Sequence, residues 1–249
     1  MILRGSLGLG DAIYLWPVVK YYSEQGHDVS IITRYPELYA NLNCKTIAPD
    51  DFIDCQCSAR TKEESTNIYE DTLIMSGVDA DIPLTLKYAG EPHKFNTSKK
   101  VCVIRNLTTP VKGDESARVM TPNAMIFQNI IDCYRGNVYF VLIGKQINCP
   151  HRLFNFDLDM TGIDSLMDYI SIIAGADVVL TQPGHCVPIA EALDKKLLCV
   201  FSRAGINSTE KRYRYTTPKK ILTKPSSAYA FDDQNMMALC EFEQLLFGR

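Results

Sequence analysis

Asp11 stands directly behind Gly5, Gly8 and Gly10 and ahead of a run in which Ile13, Trp16, Pro17, Val19 and Tyr22 recur at three- and four-residue steps. A carboxylate held there by a glycine loop is exposed and rigidly placed, which is what a general base needs. The free amides at the start of the helix that follows favour an anion. The same residues also read as an N-cap behind ordinary turn glycines. The glycine spacing is GxxGxG and no GK[ST] follows, so neither a dinucleotide fingerprint nor a Walker loop is supported. Two other carboxylate pairs, Asp79-Ala80-Asp81 and Asp157-Leu158-Asp159, spell the DxD pattern of manganese sites. That tripeptide is frequent by chance, and both copies are expected to be solvated carboxylates, with no metal required. A last cluster runs from Arg203 to Lys220, where basic residues 203, 211, 212, 214, 219 and 220 face the single acid Glu210, with Tyr213 and Tyr215 interleaved. Such a mixture can hold phosphates and stack bases, or can be a solvated loop.

The elements that would position these groups alternate between strand and helix. Ile2-Leu3 reads as a strand ending in the glycine loop, followed by a helix with one buried face over residues 12–22. Pro17 predicts a kink there, or a helix that starts in earnest at Pro17. Residues 28–33 read as a second strand, 36–42 as a short helix, and 46–47 and 52–53 as short strands. Between Asp50 and Asp81 nine acids outnumber two basic residues, a solvated face poorly suited to phosphate. Residues 88–100, YAGEPHKFNTSKK, gather turn residues and lysines as a linker does. Beyond it come a strand at 101–104, a helix at 123–134, a strand at 138–143, a polar connection through 157–162 and a helix at 164–174. A strand at 177–180, the turn TQPGH, a helix at 187–193, a strand at 197–201 and an amphipathic helix behind Asp232 complete the series. Two parallel α/β domains facing across a cleft are the economical reading, with ligands beyond the carboxyl ends of the strands.

Composition sets bounds on the function. The chain has 249 residues, 46% hydrophobic and 22% charged, enough for one large or two small cores. A formal net charge of −3 excludes a uniformly basic coat but leaves room for a local patch. The nine cysteines show neither CxxC pairs nor zinc spacing, and Cys55 with Cys57 is the nearest approach, so reduced thiols are expected. No apolar run reaches the roughly 18 residues of a membrane span, and no basic n-region with a long apolar stretch opens the chain, so no export is expected. A cytoplasmic protein is expected, in the host cytoplasm if the chain is viral.

Two stretches carry a family resemblance. GSLGLGDAIYLWPVVKYY and TGIDSLMDYISIIAGADVVLTQPGHCVPIAEALDKKLLCVF, about a quarter of the chain, resemble heptosyltransferase-like glycosyltransferases of the GT-B fold. The second carries an "AGAD" helix end, a strand, a Gly-containing turn, a helix and a strand. The resemblance implies a GT-B-like α/β protein with an acceptor-side domain over 1–95 and a nucleotide-sugar-binding domain over 96–230. A C-terminal helix over 231–249 would pack back toward the first domain. It implies an inverting, metal-independent transfer of sugar from a nucleotide-sugar donor, UDP- or ADP-linked, with Asp11 as base and no other cofactor. Gly8 and Gly10 would leave room for substrate, and Arg105, Thr108, Lys112, Gly184 and His185 would face the diphosphate. Glu191 would meet the ribose. Pro183 and Pro188 stand where the family carries Asp and His, so His185 either substitutes for them or caps its helix. The acceptor would be a saccharide or a hydroxymethylated base in DNA, the latter on the analogy of compact viral GT-B enzymes. A sugar-nucleotide epimerase or hydrolase, and a silent nucleotide-sugar-binding module, are the alternatives.

Overall fold

The computed structural model describes residues 1–4, 8–49, 67–79, 81–106, 121–144, 153–206 and 217–248. The first unit alternates β1 (Ile2–Arg4), α1 (Leu9–Glu24), β2 (Val29–Ile32), a 3-10 turn (Pro36–Tyr39), β3 (Cys44–Ile47) and α2 (Ile68–Met75). Its strands pair in parallel in the order β1-β2-β3. Segment 52–53, expected as a strand, lies outside the described residues.

The second unit runs β4 (Lys100–Arg105), α3 (Ala124–Tyr134), β5 (Val138–Gly144), β6 (Leu158–Thr161), α4 (Leu166–Gly175), β7 (Val178–Thr181), α5 (Cys186–Ala192) and β8 (Lys196–Phe201). The short helices α6 (Arg203–Ile206) and α7 (Pro218–Ile221), then β9 (Ala228–Phe231) and α8 (Asn235–Phe247), complete it. Its six strands are all parallel, in the order β6-β5-β4-β7-β8-β9, the doubly wound arrangement. Strand residues sort by parity onto the two faces. Val101, Val103, Val141 and Ile143 enter a core with α4, α5 and α1, whereas Cys102, Ile104, Phe140 and Leu142 enter a second core with α3 and α8.

Helix α1 differs from the expected one-sided helix. Every residue from Ala12 to Val19 is buried, because α1 packs against α5 of the second unit as well as against its own strands and α2. A helix buried all round needs no polar stripe in its middle. Pro17 lies inside this continuous helix and not at its start. The Trp16 indole donates to the Leu38 carbonyl at 3.0 Å and the Tyr39 hydroxyl to the Ala12 carbonyl at 2.7 Å, which tie α1 to the 3-10 turn.

The last helix corrects an expectation. Ala238, Phe242 and Leu246 of α8 bury into the core beneath β4, β5 and α3, so α8 belongs to the second unit and does not return to the first. Asp232 is not its cap: Gln234 is, and the Asp232 carboxylate accepts from the amides of Asn123 and Arg203. What crosses to the first unit is α7, where the Lys220 ammonium lies 3.7 Å from Asp71 of α2, both side chains under a tenth exposed. Five elements escaped the sequence reading: β6, an edge strand taken as a polar connection, β9, and the helices α2, α6 and α7. Among the described residues no helix is long and apolar enough to cross a membrane.

Candidate functional site

In a doubly wound sheet the connections diverge on either side of the first strand, here between β4 and β7, and a crevice opens beyond the carboxyl ends of those strands. Arg105 is the last residue of β4 and Thr181 the last of β7. The Thr181 hydroxyl donates to the Arg105 carbonyl at 3.0 Å and clamps the two ends together. The turn that follows holds Gly184 at φ +155°, and a Cβ built there would lie 3.1 Å from Arg105 Nη1. Glycine thus supplies both the backbone conformation and the space that the guanidinium fills.

Arg105 is only 7% exposed, and its Nη1 has no hydrogen-bond partner among the described residues. A buried cation with an unused donor is costly unless an anion completes it. Beside it, the Tyr169 hydroxyl lies 3.1 Å from His185 Nε2 and 2.8 Å from Cys186 Sγ. Burial, then the Arg105 charge, push the His185 imidazole down to about 3, so the ring is neutral at neutral pH. Burial holds the Cys186 thiol above its ordinary range, which leaves it a packing group and not a nucleophile.

These groups open onto a cavity of about 320 Å³. Leu9 and Tyr35 of the first unit line it, facing Arg105, Gly144, Tyr169, His185 and the segment 163–166 of the second. The cavity is therefore bounded by the carboxyl ends of both sheets and by the start of α4, where the Ser165 hydroxyl accepts from the Asp168 amide. Asp11, half-exposed in the first turn of α1, does not line the cavity itself. Its charge reaches the Tyr35 hydroxyl, which burial chiefly, with Glu37 and Asp11 behind it, holds above the ordinary phenol range.

The sequence-predicted residues divide three ways. Arg105, Gly184 and His185 come together at the crevice, with Gly10 packed against them: a Cβ on Gly10 would meet Pro188 and His185 at 3.6 and 3.7 Å. Gly8 is the N-cap of α1 and has ordinary extended backbone. Thr108 and Lys112 lie outside the described residues, as do 207–216 of the basic stretch. Glu191 is not brought to the cavity. Its carboxylate is fully buried and accepts from the amides of Thr223 and Lys224 and the hydroxyls of Thr223 and Ser227, so its oxygens serve the 223–227 segment. The second DxD is likewise occupied: Asp157 accepts from the Phe140 amide and Asp159 from the Thr161 amide and hydroxyl. Among the described residues no group of three His, Cys, Asp or Glu side chains is placed to hold a metal ion. The sequence reading missed Tyr35, Tyr169 and Asp164. Only the Ser-x-x-Asp pattern from Ser165 to Asp168 marked their neighbourhood, and it marks a helix start whatever the function.

No protein-family model matches the sequence, and no curated protein matches it. Solved structures do resemble it. A family 9 glycosyl transferase from Veillonella parvula superposes with a TM-score of 0.70 at 10% identity, covering 100% of this chain and 97% of that one. The E. coli ADP-heptose LPS heptosyltransferase II gives 0.63 at 10% identity, covering 99% and 98%. The fold is GT-B. The E. coli heptosyltransferase WaaC with ADP gives 0.62 at 11% identity, with 92% of each chain covered. The dodecameric iron-containing glycosyltransferase TibC of enterotoxigenic E. coli gives 0.57 at 12% identity, over 80% of this chain. The chain spans only 57% of TibC's length.

Proposed function

We propose that the protein is a nucleotide-sugar glycosyltransferase that inverts the anomeric centre and works without a metal. The observation that carries this reading is the buried guanidinium of Arg105, with its unused Nη1, at the switch point of a GT-B fold and beside the interdomain cavity. A nucleoside diphosphate is the anion expected in such a crevice. With Arg105 neutralising the leaving diphosphate, the donor can depart without a bound cation. The donor is a UDP- or ADP-linked sugar; the ADP-heptose named with the structural neighbours favours testing ADP-sugars first.

Asp11 is the general base in this reading. It deprotonates an acceptor hydroxyl as that oxygen attacks the anomeric carbon from the side opposite the diphosphate, which inverts the centre. The supporting geometry is its place on the first turn of α1, two residues after the cavity-lining Leu9, with its charge acting on the cavity-lining Tyr35. The acceptor is a saccharide or a hydroxymethylated DNA base, the latter needing to be flipped from the duplex.

The test is transfer from labelled ADP- and UDP-sugars to oligosaccharides and to hydroxymethylated DNA. The expected result is label on one acceptor class, retained in a chelator. Asp11→Asn should lower turnover about 100-fold or more while donor affinity survives. Unchanged turnover in that variant overturns the base assignment, and loss in the chelator rescued by a divalent ion overturns metal independence. Free sugar released from the donor without an acceptor would instead identify a hydrolase. The specific feature favouring a silent binding module is Pro188, which packs on Gly10 where the family carries a His. Donor binding with no turnover at all would identify that state.

A further inference from the structure

The carboxyl-terminal half of α1 borders a second cavity. Trp16, Lys20, Ser23 and Glu24, at i, i+4, i+7 and i+8, form one stripe of the helix and one wall of a space of about 590 Å³. The loop 41–43 after the 3-10 turn makes the second wall, and Thr85, Leu86 and Lys87 make the third. This space shares no lining residue with the interdomain cavity. Leu9, which lines that cavity, is separated from Trp16 by about 10 Å of helix.

The walls are fixed by backbone bonds. The Ser23 hydroxyl donates to the Asn43 carbonyl at 3.1 Å, the Leu42 amide to the Tyr39 carbonyl at 2.9 Å, and the Leu86 amide to the Ala192 carbonyl at 3.1 Å. Trp16 and Leu86 are buried and supply an apolar floor, and the Trp16 indole N–H is already engaged by Leu38. By contrast, the side chains of Asn41, Asn43, Thr85 and Lys87 form no hydrogen bond or ion pair among the described residues. Two carboxamides, a hydroxyl and an ammonium thus stand free on a pinned backbone around an apolar floor, the pattern of a largely preformed ligand site, and the volume lies in the range of such sites.

The lining narrows the ligand class. Carboxamides and a hydroxyl both donate and accept, which suits a ligand rich in hydroxyls. The indole and leucine floor suits the C–H face of a sugar ring. Lys20 stands 3.7 Å from Glu24, whereas Lys87 has no carboxylate partner among the described residues, so one positive charge is left for one anionic group. We propose that this cavity is a second binding site, for an acidic saccharide whose hydroxyls meet Asn41, Asn43 and Thr85 and whose carboxylate or phosphate meets Lys87. The site uses none of the residues of the interdomain cavity, so it stands independently of the nucleotide-sugar reading.

Trp16 is the single tryptophan of the chain, and its fluorescence reads occupancy of this cavity directly. The test titrates the whole chain with a uronic-acid disaccharide, a hexose phosphate, the neutral disaccharide lactose and inorganic phosphate. A saturable change in emission is expected with the uronic acid or the hexose phosphate, and which of the two binds tells carboxylate from phosphate. Lactose and inorganic phosphate should each bind about tenfold more weakly or worse, since each lacks one half of the recognition. Lys87→Ala should bring the acidic saccharide down to the level of lactose, and Asn43→Ala should weaken both several-fold. Both residues are exposed, so both variants should fold as the parent does, checked by thermal melting. Saturating ADP should leave every titration unchanged. No saturable change with either acidic saccharide overturns the proposal, as does full affinity in both variants. Lactose or inorganic phosphate binding as tightly as the acidic saccharide overturns the ligand class. Displacement by ADP would move the saccharide to the interdomain cavity and overturn the second site.

Discussion

Two residues of the β7–α5 turn and helix, His185 and Glu191, carry pH and stability consequences of their own. The His185 ring binds a proton in the unfolded chain below its ordinary value of 6.5 but in the folded chain only below about 3. Between those values the unfolded state holds the extra proton, so stability falls as pH drops from 6.5 toward 3, by about 1.4 kcal/mol per pH unit at most. Urea unfolding at pH 7 and pH 5 should therefore show a shallower acid loss in His185→Gln than in the parent. Glu191 is the opposite kind of residue, a buried carboxylate whose partners are all protein donors. Glu191→Gln puts an amide N–H₂ against donors and should cost about 3 kcal/mol, measured by urea unfolding. If donor affinity in the folded variant is unchanged, the role of Glu191 is to anchor residues 223–227; a selective loss of ribose-bearing ligands would restore it as a binding group.

The turn between β7 and α5 is where local conformation and site geometry meet. At Gly184, φ +155° disfavours any L side chain, and a Cβ would press on Arg105 Nη1. Gly184→Ala should destabilise the fold by about 1 kcal/mol and also weaken diphosphate binding, whereas a turn that served folding alone would lose only stability. Thermal melting and ADP titration on the same sample separate the two. Most of these elements were legible from the sequence: the apolar runs of β4, β5, β7 and β8, the helices at 123–134 and 164–174, and the AGAD helix end all emerge within a few residues of their predicted places. The two missed strands share a cause. β6, half-exposed at the sheet edge, and β9, with Tyr229 exposed, lack the continuous apolar run of a buried parallel strand, so only pairing with β5 and β8 makes them strands.

Across the whole molecule, α1 and α7 join the two units. The buried Lys220 to Asp71 pair crosses between them at 3.7 Å, and the Tyr14 hydroxyl donates to the Ile221 carbonyl at 3.5 Å close by. Asp71→Asn removes the carboxylate charge beside a buried ammonium and should cost roughly 3–5 kcal/mol in urea unfolding, with an apolar pair at both positions recovering much of the loss. Recovery of stability without recovery of transfer would show that the pair sets the relative position of the units. The sequence by itself determined the parallel α/β class, the two-unit order and the Asp11 and TQPGH landmarks, because periodicity, caps and turn glycines are local properties. Only the tertiary structure decided which side chains share the crevice. The burial that silences the His185 charge, the absence of an ion-pair partner for Arg105 among the described residues, and the diversion of Glu191 to another segment all depend on neighbours distant in the chain. Burial and electrostatic pairing are set by those neighbours, and no spacing along the sequence encodes them.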